Sequence, residues 1–219
     1  MEFTDCFPIW NELTDTQRQN LSATVTHRKL EKHAVVHRGN LDCTGLLLVQ
    51  SGQLRAYALS DEGREITLYR LIELDICLFS ASCVMRGIQF EVSIEAEKDT
   101  WVWVVPPNVY QTLMEESAAV ANYTNELMSN RFSEVMWLME QILWKRIDQR
   151  LSSFLLQESA LEGTNTLSIT HEKIANHLGS AREVVTRMLR YFQSEGLVKL
   201  SRGQVELVNL KGLASLRGD

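Results

Sequence analysis

The side chains best placed to do chemistry are five polar residues near the C-terminus: Arg182, Glu183, Thr186, Arg187 and Arg190. Their offsets put them on one side of a helix. Val184, Val185, Met188 and Leu189 take the opposite, apolar side. Arginine offers a planar fork of donors and glutamate a pair of acceptors. Both groups can meet the edges of nucleic-acid bases.

A second, earlier helix must hold that face in place. Ile174, Ala175 and Leu178 give it one apolar face. Gly179 ends it, since glycine takes a left-handed turn residue at no steric cost. Ser180 then opens the following helix, and Glu183 three residues on completes a capping box with it. Ala175, Gly179 and Val185 have the spacing of a helix-turn-helix: a small residue at the crossing, a turn glycine and an apolar anchor. The competing interpretation is an ordinary helical hairpin with a charged outer face.

The rest of the chain is long enough to carry this unit on a second domain. It has 219 residues, 45% of them hydrophobic, and a net charge of −6. From Lys145 onward there are 11 Lys and Arg against 8 Asp and Glu, a net of +3; the remainder has 11 against 20, a net of −9. A mildly basic C-terminal part on an acidic body fits a DNA-contacting module on a non-contacting one. No apolar run is long enough to span a membrane. The opening MEFTDCFPIWNELTD is acidic and lacks an apolar core, so no secretory signal is expected. Cys6, Cys43, Cys77 and Cys83 lack tight spacing, which predicts a reducing, cytoplasmic setting and no disulfide framework.

Phe7, Ile9, Trp10, Leu13 and Leu21 predict a short helical start. From Lys32 to Val105 short runs rich in Val, Ile, Leu, Tyr and Trp are broken by Gly39, Gly45, Gly52 and Gly63, which predicts an all-β barrel or sandwich. Pro106-Pro107 stops it. A helix from about Ser117 to Trp144 follows, about 28 residues or ~42 Å long. Val120, Leu127, Val135, Leu138 and Ile142 form its apolar stripe and are the expected dimer seam, although Thr124 and Arg131 interrupt the heptad. The alternative is that the stripe packs only on its own barrel. Another helix, Lys145 to Gln157, leads to the helix-turn-helix. LVKLSRGQVELVN then reads as a wing hairpin turning at Ser201-Arg202-Gly203.

The landmarks His37-Arg38-Gly39-Asn40, Val49-Gln50-Ser51-Gly52-Gln53-Leu54-Arg55 and Asp61-Glu62-Gly63-Arg64-Glu65, the run Arg182-Glu183-Val184-Val185-Thr186-Arg187 and the order of elements together resemble the Crp/Fnr superfamily of bacterial transcription regulators. The resemblance covers nearly the whole chain. It implies an α+β architecture: a jelly-roll, cupin-like sensor barrel over 1–116, a dimerisation helix over 117–144 and a winged helix-turn-helix over 145–219. It implies a homodimer on an inverted-repeat DNA operator, meeting RNA polymerase if it activates. Arg182, Glu183 and Arg187 fall where the family reads bases. Thr170, His171, Ser180, Thr186, Lys199 and Arg202 are expected on the DNA backbone, where contacts position without specifying.

The sensor departs from its relatives. The family's cyclic-nucleotide cassette has Gly-Glu where this chain has Leu78-Phe79, and an arginine where it has Phe90, next to Glu91. An anionic nucleotide would meet no charge partner there. The clustered N-terminal cysteines of the iron–sulfur relatives reduce here to Cys6. The cofactor is therefore unknown, and the effector is expected to act on Cys77, Leu78, Phe79, Ser80 and Cys83. Cys77 and Cys83 read as a redox pair or ligand-binding thiol, or as buried structural cysteines. An apolar pocket for a haem or a small aromatic effector is a further reading. No metal site is expected, and the protein is not expected to be an enzyme. A cupin-like metal enzyme is the alternative, but it needs several converging ligands and this region offers only His33 and His37.

Overall fold

The computed structural model describes residues 2–38, 43–84 and 91–217. They form two compact units, Met1–Leu59 with Leu68–Val135, and Ser60–Thr67 with Met136–Asp219. Gly39, Asn40 and Phe90, three of the residues quoted above, lie outside the described residues.

In the first unit, to which β5 belongs only from Leu68 onward, α1 (Phe3–Cys6) and α2 (Asp15–Thr24) precede a run of strands: β1 (Thr26–Leu30), β2 (Val35–Arg38), β3 (Leu46–Ser51), β4 (Leu54–Leu59), β5 (Glu65–Leu71), β6 (Ile76–Cys77), β7 (Ser93–Ala96) and β8 (Thr100–Val105). They make two four-stranded sheets, ordered β1-β8-β3-β6 and β2-β7-β4-β5. The registered pairs β1·β8, β2·β7, β3·β6, β3·β8 and β4·β7 are all antiparallel. Strand β3 shows why LLLV carries no polar alternation. Successive side chains point to opposite faces of a strand. Leu46 and Leu48 enter the cluster shared with the N-terminal helices, and Leu47 and Val49 enter the cluster between the sheets. Both faces of this strand are buried.

Proline at the first helical position starts α3 (Pro107–Glu116). The 27-residue α4 (Ala118–Trp144) follows. Its first half belongs to the barrel. Val120 is fully buried in the cluster that holds Tyr110 and Leu113, and Leu127 packs on that cluster. Val120 therefore leaves the expected dimer seam: its side chain is spent on the chain's own core. The two residues that interrupt the heptad also face inward. Thr124 shares a 2.7 Å hydrogen bond with the Tyr110 hydroxyl. The Arg131 guanidinium lies 4.6 Å from the Tyr69 ring centroid and donates to both Glu134 oxygens at 3.0 and 2.7 Å. Burial works against the charge on Arg131, and Glu134, Tyr69 and Asp75 together outweigh it, holding its pKa above the ordinary value.

The cysteines depart from expectation. Cys43 and Cys83 form a disulfide across 40 residues of sequence, while Cys6 and Cys77 are free and buried. Antiparallel pairing of β3 with β6 brings the start of β3 beside the kinked 3₁₀ turn Phe79–Val84. The partner of Cys83 is thus Cys43, not Cys77. Cys77 is fully buried, and burial pushes its thiol above the ordinary value against hydrogen bonds from Ser80. A thiol so placed packs as a small apolar group.

The second unit contains α5 (Ile147–Glu162), β9 (Thr166–Leu167), α6 (His171–Leu178), α7 (Arg182–Ser194), β10 (Val198–Ser201), β11 (Gln204–Leu207) and α8 (Leu210–Leu216). Strands β10, β11 and β9 form a three-stranded sheet in that order. Leu151, Phe154 and Leu155 of α5 pack with Ile174, Ala175 and Leu178 of α6 and Val185, Leu189 and Phe192 of α7. Fully burying one such side chain is worth about 1.5–3 kcal/mol. These contacts hold the inner face of α7 on the domain core.

Candidate nucleic-acid interface

Helix α6 starts at an ordinary cap. The Lys173 backbone N–H donates to Thr170 Oγ1 at 3.1 Å. It ends at Gly179, whose φ of 59° is left-handed. The Ser180 N–H bonds back to the Ala175 carbonyl at 3.0 Å, so Ser180 finishes the turn instead of opening the next helix. Helix α7 is capped by Ala181, without a side-chain cap bond, and begins at Arg182. The expected Ser180–Glu183 capping box does not form. With no cap to make, the Glu183 carboxylate is left for the outer face.

On that face Arg182, Glu183, Arg187 and Arg190 are exposed and Thr186 is half-buried. The five line a hollow of about 400 Å³. Three guanidinium groups against one carboxylate make it cationic. Among the described residues no ion pair joins Glu183 to Arg187, so neither side chain is held by the other. The sequence placed Arg190 on this outer side but among neither the base nor the backbone contacts, although its place one turn beyond Arg187 was the available signal.

The expected DNA-backbone residues divide into two groups. His171 and Thr186 come together, with Nδ1 and Oγ1 2.9 Å apart, which ties the start of α6 to the second turn of α7. Thr170 is the cap of α6, and Ser180 lies in the turn. Lys199 and Arg202 sit apart from these, exposed on the β10–β11 hairpin, with Lys199 Nζ 3.9 Å from Glu206. Burial, followed by the charges of Arg182 and Arg190, lowers the His171 pKa from its ordinary 6.5. Below about pH 6.5 the unfolded chain therefore binds more protons than the folded one, and stability falls as pH falls. The melting temperature of the wild type should drop more between about pH 7.5 and 5.5 than that of His171→Gln, which cannot titrate. Equal drops in the two proteins would remove His171 as the source.

Two residues that sequence reasoning missed hold α6. Arg150 donates to the Leu178 carbonyl. His177 is buried, stacks on Phe154 at 5.1 Å and shares a 2.7 Å hydrogen bond with Thr67. Beside it, Ile66 fills the space where a Cβ on Gly179 would sit, its Cδ1 only 2.7 Å from that point.

A cyclic nucleotide-binding domain model matches residues 27–117, and a Crp-like helix-turn-helix domain model matches residues 149–216. A crystal structure from Eubacterium rectale, assigned to the crp/fnr family of transcriptional regulators, is 61% identical, with a TM-score of 0.97 over 98% of this chain and 100% of its own. The chain belongs to the Crp/Fnr family. The transcriptional activator protein anr of Pseudomonas aeruginosa is 27% identical over 97% of this chain and 88% of its own length. The transcriptional regulator SdrP of Thermus thermophilus is 28% identical over 77% of this chain and 81% of its own. Like these Crp/Fnr relatives, the protein is a DNA-binding transcription regulator. It combines the family's N-terminal antiparallel sheet domain, long helix and helix-turn-helix.

The segment expected to meet the effector is filled by the chain's own core. Leu78 and Phe79 are 1% and 4% exposed, Cys77 and Ser80 are fully buried, and the Ser80 hydroxyl donates to the Cys77 carbonyl. Cys83 is exposed and disulfide-bonded. His33 is exposed and meets Glu95 at 3.1 Å, whereas His37 is buried. Among the described residues no three His, Cys, Asp or Glu side chains gather as a metal site would require. No helix among them is long and apolar enough to cross a membrane.

Proposed function

We propose that the protein works in the cytoplasm as a homodimer that reads an inverted-repeat DNA operator under a signal other than a cyclic nucleotide. It contacts RNA polymerase where it activates and has no enzymatic role. The observation that carries this reading is the outer face of α7: Arg182, Glu183 and Arg187 are exposed and unpaired with one another on a helix whose opposite face is locked into a winged-helix core. Arg182 and Arg187 meet guanine O6 and N7, and Glu183 accepts from cytosine N4. Thr170, His171, Ser180, Thr186, Lys199 and Arg202 contact phosphates.

Dimerisation uses the second half of α4. Phe132, Met136, Met139 and Leu143 recur at offsets of four, three and four and are 67%, 40%, 50% and 60% exposed. Trp137, Ile142 and Trp144 are exposed beside them. So much apolar surface along one helix calls for a cover. A heptad seam of a second copy supplies one and sets two recognition helices about 34 Å apart, one turn of DNA. Leu127, Val135 and Leu138 are half-buried and flank this stripe.

The signal reading rests on the buried, uncharged Leu78-Phe79. Selection from randomised duplex DNA tests the whole proposal. It should enrich an inverted repeat whose half-sites contain a G·C pair, as in TGA. Millimolar cyclic AMP or cyclic GMP should change neither operator affinity nor melting temperature. A ligand selective for the folded state at a hundred times its Kd would add about 2.7 kcal/mol of stability, so a silent result is informative. Enrichment of unrelated single sites would refute the dimeric reading. A cyclic-AMP-dependent rise in affinity would refute the signal reading.

A further inference from the structure

The disulfide is where the fold departs most from what the sequence predicts, and the operator-binding function leaves it unexplained. Cys43 and Cys83 are both exposed, unlike Cys6 and Cys77. Their Cα atoms are 5.8 Å apart, a spacing that a disulfide spans without backbone movement. The backbone holds that approach by itself. The N–H groups of Thr44 and Gly45 both donate to the Ser80 carbonyl, at 3.1 and 3.2 Å, and Thr44 Oγ1 donates to the Val36 carbonyl at 2.8 Å. If the sulfur–sulfur bond opens, these hydrogen bonds keep the two thiols facing each other, ready to close again. Disulfides of proteins that work in the cytosol are usually transient and redox-sensing.

The bond is also placed to be felt. It anchors one end of the Phe79–Val84 turn to the start of β3. At the other end of that turn Phe79 packs on Tyr69 with centroids 6.0 Å apart, and the far contact of Tyr69 is the Arg131 guanidinium of α4 at 4.6 Å. Among the described residues the buried Tyr69 hydroxyl has no hydrogen-bond partner, so no hydrogen bond to them pins this ring in place. One aromatic pair and one cation–π contact thus separate the disulfide-tethered turn from the long helix.

We propose that Cys43 and Cys83 are a reversible dithiol–disulfide pair through which a low-molecular-weight thiol–disulfide couple sets operator affinity. The inference rests on the operator-binding reading above. In the oxidising direction the Cys83 thiolate attacks a small disulfide RS–SR, forming a mixed disulfide and releasing RS⁻. The Cys43 thiolate then displaces the second RS⁻. The two protein thiols together give up two protons and two electrons, and the small disulfide leaves as two RSH. Reduction runs the same two exchanges backwards. Closing the bond tethers the turn at Cys83, and opening it leaves only the backbone hydrogen bonds, so the two states offer α4 different packing.

The test uses the full-length protein equilibrated in buffers of reduced and oxidised glutathione, quenched with acid, and alkylated after unfolding. Reduced wild type should carry four alkyl groups, one for each cysteine in the chain, and oxidised wild type two. Cys43→Ser and Cys83→Ser should each abolish the two-thiol change, and Cys77→Ser should keep it. Operator affinity should differ by about fivefold or more between oxidised and reduced wild type. The two serine variants at positions 43 and 83 should bind equally in both buffers. Four thiols at every glutathione ratio, loss of the change in Cys77→Ser, or equal operator affinity in the two wild-type states would each overturn the proposal. Absence of specific binding in both states would overturn the operator-binding reading along with it, an outcome distinct from equal binding.

Discussion

Arg187→Ala should bind its selected operator about 1–3 kcal/mol more weakly, roughly 5- to 150-fold, and should lose its preference at one base pair of each half-site. The effect follows from geometry. Arg187 is exposed on the outer face of α7, and among the described residues no ion pair with Glu183 competes for it. Glu183→Ala should lose a comparable amount at a different base pair. Lys199→Ala is the contrast. Its ammonium is exposed on the wing and is only 3.9 Å from Glu206, a weak and solvated pairing. Loss of a phosphate contact should weaken every sequence alike and reduce the slope of log affinity against log salt by about 0.9. Gel shifts on a panel of single-base operator variants at several salt concentrations separate the two behaviours. Uniform weakening by Arg187→Ala across that panel would show that it contacts only phosphate.

Placing glutamate at both Phe132 and Leu143 should have the larger effect. These side chains are 67% and 60% exposed on one stripe of α4, away from the core residues Val120, Thr124 and Arg131. The barrel and winged-helix cores should therefore survive the change. Sedimentation should show monomers, and affinity for a full inverted repeat should fall by about 10²- to 10⁴-fold, because the second half-site is no longer tethered to the first. Affinity for an isolated half-site should hardly move. A variant that remains dimeric would put the interface elsewhere on the chain.

The helix-turn-helix was legible because its constraints are local. Ala175, Gly179 and Val185 lie within eleven residues, and each is required by sterics that a short stretch of chain expresses by itself. The same locality misled at Ser180. The pattern Ser-x-x-Glu describes a capping box, but the left-handed Gly179 commits the next N–H to Ala175, and the helix starts two residues later. Features that depend on distant partners were less readable. Val120 matches a heptad stripe as well as it matches a core position, and only the barrel beside it decides between them. Thr124 and Arg131 looked like flaws in a seam and are instead the side chains that fasten the helix to Tyr110 and Tyr69. The exposed stripe was present in the spacing of Phe132, Met136, Met139 and Leu143, but the apolar residues around it blurred its direction. The partner of Cys83 lies 40 residues away, a distance over which spacing carries no pairing information.

The contact between Ile66 and Gly179 sets a rule for how this chain can drift. Position 179 answers to two demands at once. Its φ of 59° admits glycine, or asparagine at some cost, and the Ile66 methyl occupies the space that any side chain would need. Asparagine at 179 meets the first demand and breaks the second, unless position 66 shrinks in the same lineage. Among descendants and close cousins the two positions should therefore change together: isoleucine with glycine, or a smaller residue with asparagine. The mixed pairing of large with large should be missing. A half-buried strand residue and a turn residue 113 positions further along the chain are thus inherited as a unit.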